Sequence, residues 1–130
     1  MKQNVLIIGA GGVAQVVAHK CAQNNDVLGD IHIASRTLSK CEAILETVRD
    51  KGAMKQEGVL AAHQVNAQDV PAVVALIRET GVEIVINVGS AFVNMYVLDA
   101  CIETGVAYIS VGRLTHSVQA CDLSMLFVPA

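Results

Sequence analysis

A chain of 130 residues, 53 % hydrophobic, 16 % charged and without Trp, has room for one globular domain and none for a second, which excludes disorder, low complexity and a disulfide-dense miniature scaffold. Lys and Arg number 9 against 12 Asp and Glu, a formal charge of −3; with no basic face, nucleic acid and anionic membrane are excluded as partners and a small molecule is expected. The longest apolar stretch, Val5 to Ala14, is Gly-rich and far shorter than the roughly 20 residues that cross a bilayer, and no signal-peptide pattern precedes it, so a cytoplasmic protein is expected.

Short apolar runs alternate with helical patterns along the chain, as in a parallel sheet covered by helices on both faces. The first strand is read over Asn4–Ile8, and Gly9–Gly12 turns into a helix over Gly12–Gln23 that Asn24-Asn25 ends. A second strand, Asp30–Ala34, leads through Ser35-Arg36-Thr37 into a helix with Cys41, Ile44, Leu45 and Val48 at i, i+3, i+4 and i+7; Ser39 and Glu42 are spaced as a capping box. Gly52 to Gly58 is a polar connector, and Val59–Val65 is a third strand, interrupted by His63 and Gln64 and expected towards one edge. Asp69 caps the next helix, with Pro71 in its first turn, Val70, Val73, Val74 and Ile77 on one face and Gly81 beyond its end. Glu83–Val88 is the fourth strand, Gly89-Ser90-Ala91 a tight turn, Val93–Thr104 a helix closed by Gly105, and Ala107–Val111 the fifth strand. Right-handed crossovers then give an α/β, Rossmann-like, doubly wound parallel sheet of order 3-2-1-4-5 with no sixth strand evident. Residues 1–111 are the expected domain, and residues 112–130, where periodicity fades, a divergent tail.

Gly9-Ala10-Gly11-Gly12-Val13-Ala14 follows a strand and opens a helix, so it matches G-x-G-x-x-[GA] in the context that motif requires. Gly9 permits the turn, Gly11 lets a pyrophosphate approach the backbone, and Ala14 keeps the helix close to the strand. The phosphates are expected on free N–H groups around Gly12 and Val13, where the helix dipole also favours negative charge. At the end of the second strand, where an NAD site places Asp or Glu, this chain has Ala34-Ser35-Arg36-Thr37. A carboxylate there would repel a 2′-phosphate, whereas Arg36 can pair with it, with the hydroxyls of Ser35 and Thr37 and with Lys40 nearby, so NADP(H) is the expected dinucleotide.

Asn66 at the end of the third strand could border the adenine, and Asn87 and Gly89 at the end of the fourth the nicotinamide ribose; for Asn66 a loop-capping role is an equal alternative. Asn87 is assigned to contact because an Asn ending a buried strand beside a Gly needs a partner. Tyr96 and Tyr108 are followed four residues on by Ala100 and Gly112, which excludes a Tyr-x-x-x-Lys pair, and no nucleophile–base set is evident. Cys21, Cys41, Cys101 and Cys121 form no Cys-x-x-Cys pair and read as reduced thiols; they and the four histidines show no ligand spacing, so no metal is expected.

Val5-Leu6-Ile7-Ile8-Gly9-Ala10-Gly11-Gly12-Val13, Val17-Ala18-His19-Lys20-Cys21-Ala22, Ile33-Ala34-Ser35-Arg36-Thr37, Val85-Ile86-Asn87-Val88 and Leu98-Asp99-Ala100-Cys101-Ile102-Glu103-Thr104-Gly105-Val106 together resemble the amino-terminal NADP-binding domain of the saccharopine dehydrogenase-like family, closest to its carboxynorspermidine dehydrogenase branch, over about Asn4–Ile109. The resemblance implies a cytoplasmic, NADPH-dependent reductive condensation of aspartate semialdehyde with a diamine in polyamine synthesis. It implies cofactor contacts at Gly9, Gly11, Gly12, Val13, Ser35, Arg36, Thr37 and Asn87. Ala14 stands where relatives commonly have Gly, and Tyr108-Ile109-Ser110-Val111-Gly112 and the stretch to Ala130 depart from the family pattern. A truncated chain, without the catalytic and dimerising domain of its relatives, is therefore expected. A regulatory nucleotide-sensing module and a non-catalytic remnant are the alternatives; self-association is expected through the open edge of the fifth strand or through the tail.

Overall fold

The computed structural model describes residues 3–89 and 91–111; the expectations for Ser90, for the tail at 112–130 and for a sixth strand lie outside the described residues. Five strands, β1 (Val5–Ile8), β2 (Ile31–Ser35), β3 (Leu60–Gln64), β4 (Ile84–Asn87) and β5 (Ala107–Ser110), alternate with helices α1 (Gly12–Gln23), α2 (Asn25–Leu28), α3 (Leu38–Asp50), α4 (Val70–Thr80) and α5 (Asn94–Thr104). The strands form one parallel sheet in the order β3-β2-β1-β4-β5. The α/β doubly wound topology read from the sequence is the one observed, with β3 at an edge.

Strand periodicity explains why β1 is apolar at every position. Val5 and Ile7 enter a core with Ala14, Val17 and Cys21 of α1 and Cys41, Ile44, Leu45 and Val48 of α3. Leu6 and Ile8 point the other way, into a core with Val73, Val74, Leu76 and Ile77 of α4 and Val97, Ala100 and Cys101 of α5. A central strand covered on both faces has no solvent side, so it carries no polar residue. Because every strand runs the same way, the carboxyl ends of all five lie along one edge, and the chain reverses direction between β1's neighbours β2 and β4.

Three local features depart from the sequence reading. Asn24-Asn25 does not simply end α1: a further helical turn, α2, follows, and Asn25 is wholly buried. Its Oδ1 accepts from the N–H of Lys55 and of Gln56 and its Nδ2 donates to the Gln56 carbonyl, so one amide fastens the polar connector. The Ser39–Glu42 capping box does not form; α3 starts two residues after the Ser35-Arg36 corner with Thr37 at its N-cap and no side-chain cap, which leaves Ser39 inside the helix. The segment after β4 forms a 3₁₀ turn over Ala91–Val93, and α5 begins at Asn94. Asp69 does cap α4, accepting from the Ala72 N–H at 3.2 Å.

Cys21, Cys41 and Cys101 are free and buried. Burial pushes the Cys21 thiol up to about 12 and the Cys101 thiol up to about 11, so both pack as neutral apolar groups.

His32 of β2 is 8 % exposed, and its Nδ1 lies 2.9 Å from Nε2 of His63 on β3. One proton serves that pair. Burial, then the neighbouring His63, lowers the His32 pKa, with Asp30 opposing. The unfolded chain, with histidine near about 6.5, therefore binds more protons than the folded one between that value and the lowered one, so stability is full above the unfolded pKa and falls as the pH drops through this window. Acidification from pH 7.5 to 5.5 is expected to lower the thermal midpoint, and less so in His32→Leu; an equal drop in both, followed by circular dichroism, would contradict this.

Candidate functional site

At the carboxyl edge, between the ends of β1, β2, β3 and β4, lies a cleft of about 410 Å³. Among the residues lining it are Gly9, Ser35, Arg36, Thr37, Lys40, Asn66 and Gly89, with Ala10, Ala67, Gln68, Phe92 and Val93. Loops at this edge of a parallel sheet, where the strand order reverses, are where ligands bind in open α/β folds.

The β1–α1 turn forms one wall. Gly9 adopts φ 123°, and a Cβ there would meet the Gly89 nitrogen and the Val88 side chain at 3.0 Å, so only glycine fits. Gly11 and Gly12 are glycine for no such reason. A Cβ on either meets nothing within 4 Å, and Gly11, at φ −91° and ψ −166°, has ordinary extended backbone. Gly11 is the N-cap of α1, with no side-chain cap and no acidic residue in the first turn. The first intrahelical bond comes from Gln15 to the Gly11 carbonyl, so the amides of the first turn have no intrahelical acceptor; Gly11, Gly12 and Val13 themselves are not among the residues that line the cleft. Val13 is 42 % exposed, whereas Ala14 is wholly buried against the sheet: Ala14 packs α1 and does not reach the cleft.

The opposite wall is the β2–α3 corner. Arg36, Thr37 and Lys40 are exposed, and Arg36 makes no ion pair among the described residues; the one ion pair there is Lys55–Asp26 at 3.2 Å, remote from the cleft. The Ser35 hydroxyl is turned back into the corner, where it donates to the Thr37 carbonyl and accepts hydrogen bonds from the Thr37 N–H and the Cys41 thiol. Asn66 is exposed and forms a local turn, its Oδ1 accepting from Gln68 N–H at 3.0 Å.

Asn87 is placed differently from its expected contact role. It is 1 % exposed and finds its partners inside the protein. Its Nδ2 donates to Asn94 Oδ1 at 2.6 Å and to the Tyr108 hydroxyl at 3.3 Å, and its Oδ1 accepts from Gly89 N–H at 3.0 Å. The need for a partner was correct, but a residue 7 positions on and another 21 positions on meet it. Ser110 also donates to Asn94 Oδ1, so Asn94 ties the start of α5 to the ends of β4 and β5. The sequence carried no local signal for Asn94 or Phe92 as parts of this edge. His19 donates Nδ1–H to the Gln15 carbonyl and does not line the cleft.

A parallel sheet whose first strand turns through three glycines into a helix beside its switch point defines a dinucleotide-binding domain. The chain belongs to the saccharopine dehydrogenase NADP-binding domain family, whose model matches residues 5–124; the match runs beyond Ile109, where the sequence resemblance was read to stop. It is 54 % identical over 106 residues to a carboxynorspermidine synthase of Vibrio alginolyticus, covering 81 % of this chain and 26 % of that one. It is 50 % identical over 120 residues to a carboxynorspermidine synthase of Vibrio cholerae, covering 92 % and 28 %. Among solved structures, apo saccharopine dehydrogenase (L-Glu forming) from Saccharomyces cerevisiae shares the fold, with a TM-score of 0.66 at 22 % identity over 88 % of this chain and 22 % of that one. The chain thus spans about a quarter of the length of the curated relatives it matches.

Gly9→Ala combines a strained φ with backbone contact and is expected to lower unfolding free energy by roughly 1–3 kcal/mol, without any cofactor present. Urea denaturation reads this; an unchanged midpoint would show that the two loops do not meet as described.

Proposed function

We propose that this chain holds NADPH across the carboxyl edge, with the pyrophosphate on the first-turn amides of α1, around Gly12 and Val13, and the 2′-phosphate on Arg36, flanked by Thr37 and Lys40. The adenine then lies between the Arg36 corner and Asn66-Ala67, and the nicotinamide ribose runs towards Gly89. The observation that carries this reading is the pair Gly11 and Gly12: neither conformation nor packing calls for glycine there, whereas close approach of a phosphate does. Preference for NADP over NAD is supported by a guanidinium with no ion-pair partner among the described residues where a 2′-hydroxyl acceptor would otherwise stand, since a charge-assisted, bidentate pair suits a phosphate and not a hydroxyl.

The two carboxynorspermidine synthase relatives support a role for the whole protein in the NADPH-dependent reductive condensation of aspartate semialdehyde with a diamine. The cofactor supplies a hydride in that chemistry; the residues described here bind and orient it, and none forms an acid–base pair for the reaction. The free, buried thiols suit a reducing compartment such as the cytoplasm. Homo-oligomerisation belongs to the same reading: β5 has no partner on its outer edge among the described residues, and Phe92, Met95 and Ile102 are exposed.

Calorimetric titration of the full chain is expected to show NADPH binding at least about tenfold tighter than NADH, as loss of one charged pair is worth roughly 1.5–3 kcal/mol, and Arg36→Ala to remove most of the difference. Equal affinities would refute the NADP assignment. Gly12→Val is expected to leave the unfolding free energy within about 0.5 kcal/mol of the parent while abolishing both affinities; retained binding would refute the phosphate cradle.

A further inference from the structure

We propose that Ser35, Cys41 and Gln64 are positioning residues: they fasten the β2–α3 corner so that Arg36 is presented to the 2′-phosphate. The inference rests on the reading of Arg36 given above, leaves Thr37 and Lys40 as its flanking groups, and changes the role of Ser35 from ligand contact to fastener.

A hydroxyl has one proton to give and two lone pairs to receive. Ser35 uses all three within the corner. It donates to the Thr37 carbonyl at 3.0 Å, accepts from the Thr37 N–H at 3.1 Å, and accepts from the Cys41 thiol at 3.2 Å. Nothing on it remains for a ligand. Cys41, on α3, is wholly buried in the core that α1 and α3 form with the sheet, so the corner is tied to that core.

The other side of the corner is held by β3. The Ser35 carbonyl accepts from the Val65 N–H at 2.9 Å, and the next carbonyl, that of Arg36, accepts from Gln64 Nε2 at 3.1 Å. Gln64 stands opposite Ser35 in the β2–β3 register, which brings its amide to Arg36 across the strand ends. Both the incoming and outgoing backbone of Arg36 are therefore fixed while its guanidinium has no ion-pair partner among the described residues. A cation on a fixed backbone loses less freedom on meeting its anion than one on a loose loop. This explains the polar Gln at the end of the edge strand β3, which the sequence shows only as an interruption.

The test is a double-mutant cycle on the full chain, reading NADPH and NADH affinity by calorimetry. Gln64 is exposed, so Gln64→Leu keeps the fold, which thermal unfolding verifies. Gln64→Leu is expected to weaken NADPH about 3- to 10-fold, the range of one lost hydrogen bond, and to leave NADH within about twofold. In the Arg36→Ala background neither Gln64→Leu nor Ser35→Ala should weaken NADPH further, because both act through Arg36. A Ser35→Ala loss that persists without Arg36 would mark a direct phosphate contact and overturn the proposal, as would a Gln64→Leu loss shared equally by both cofactors. A parent chain that prefers NADPH but ignores Gln64→Leu overturns the positioning role alone; a parent with no preference overturns the Arg36 reading and this inference with it.

Discussion

The contact between Gly9 and the Val88–Gly89 backbone is the constraint on which the rest of the carboxyl edge depends. Adjacent parallel strands β1 and β4 leave the sheet side by side, and their loops come close enough that no Cβ fits on Gly9. That closeness accompanies the short turn from β1 into α1, which begins at Gly12 on the carboxyl side of the sheet. Gly89 is in turn held by the Asn87 amide, and Asn87 by Asn94. The wall is thus built from backbone and buried amides, with no charged side chain needed to hold it.

The two walls of the cleft divide the work by charge. On the α1 side, neutral amides and a helix dipole suit the delocalised charge of a pyrophosphate; on the β2–α3 side, a full positive charge suits a terminal phosphate. On the proposed reading, discrimination between phosphorylated and unphosphorylated dinucleotides belongs to the second wall and shared affinity to the first. This chain spans about a quarter of the length of its curated relatives, and on the proposed reading binding and orienting the cofactor is what this region contributes.

The strands, the glycine turn and the Arg36 corner were legible in the sequence because their causes are local. A double-sided apolar run marks a central strand, and glycines between strand and helix mark a close turn. Asn87, Asn25, Ser35 and the His32–His63 pair were not legible in the same way. Each is polar, at least half of its meaning lies in a partner, and the decisive partners include Tyr108 for Asn87, Gln56 for Asn25 and His63 for His32, 21 or 31 positions away. Ser35 illustrates the limit well: its position at the end of β2 marked it as part of the corner, but only the buried Cys41 and the turn of Thr37 show that its hydroxyl is already spent. The start of α3 was misplaced for a related reason. The Ser39–Glu42 spacing looks like a cap, yet the corner is set one turn earlier by Ser35 and Thr37.

The central claim is that one ligand touches both walls at once, and amide chemical-shift mapping by NMR during titration with NADPH tests it most directly. The account predicts the largest shifts at Gly11, Gly12 and Val13 together with Arg36 and Thr37, and none at Asn25–Asp30 at the opposite end of the sheet. Shifts confined to one wall, or strongest around Asn25–Asp30, would contradict it.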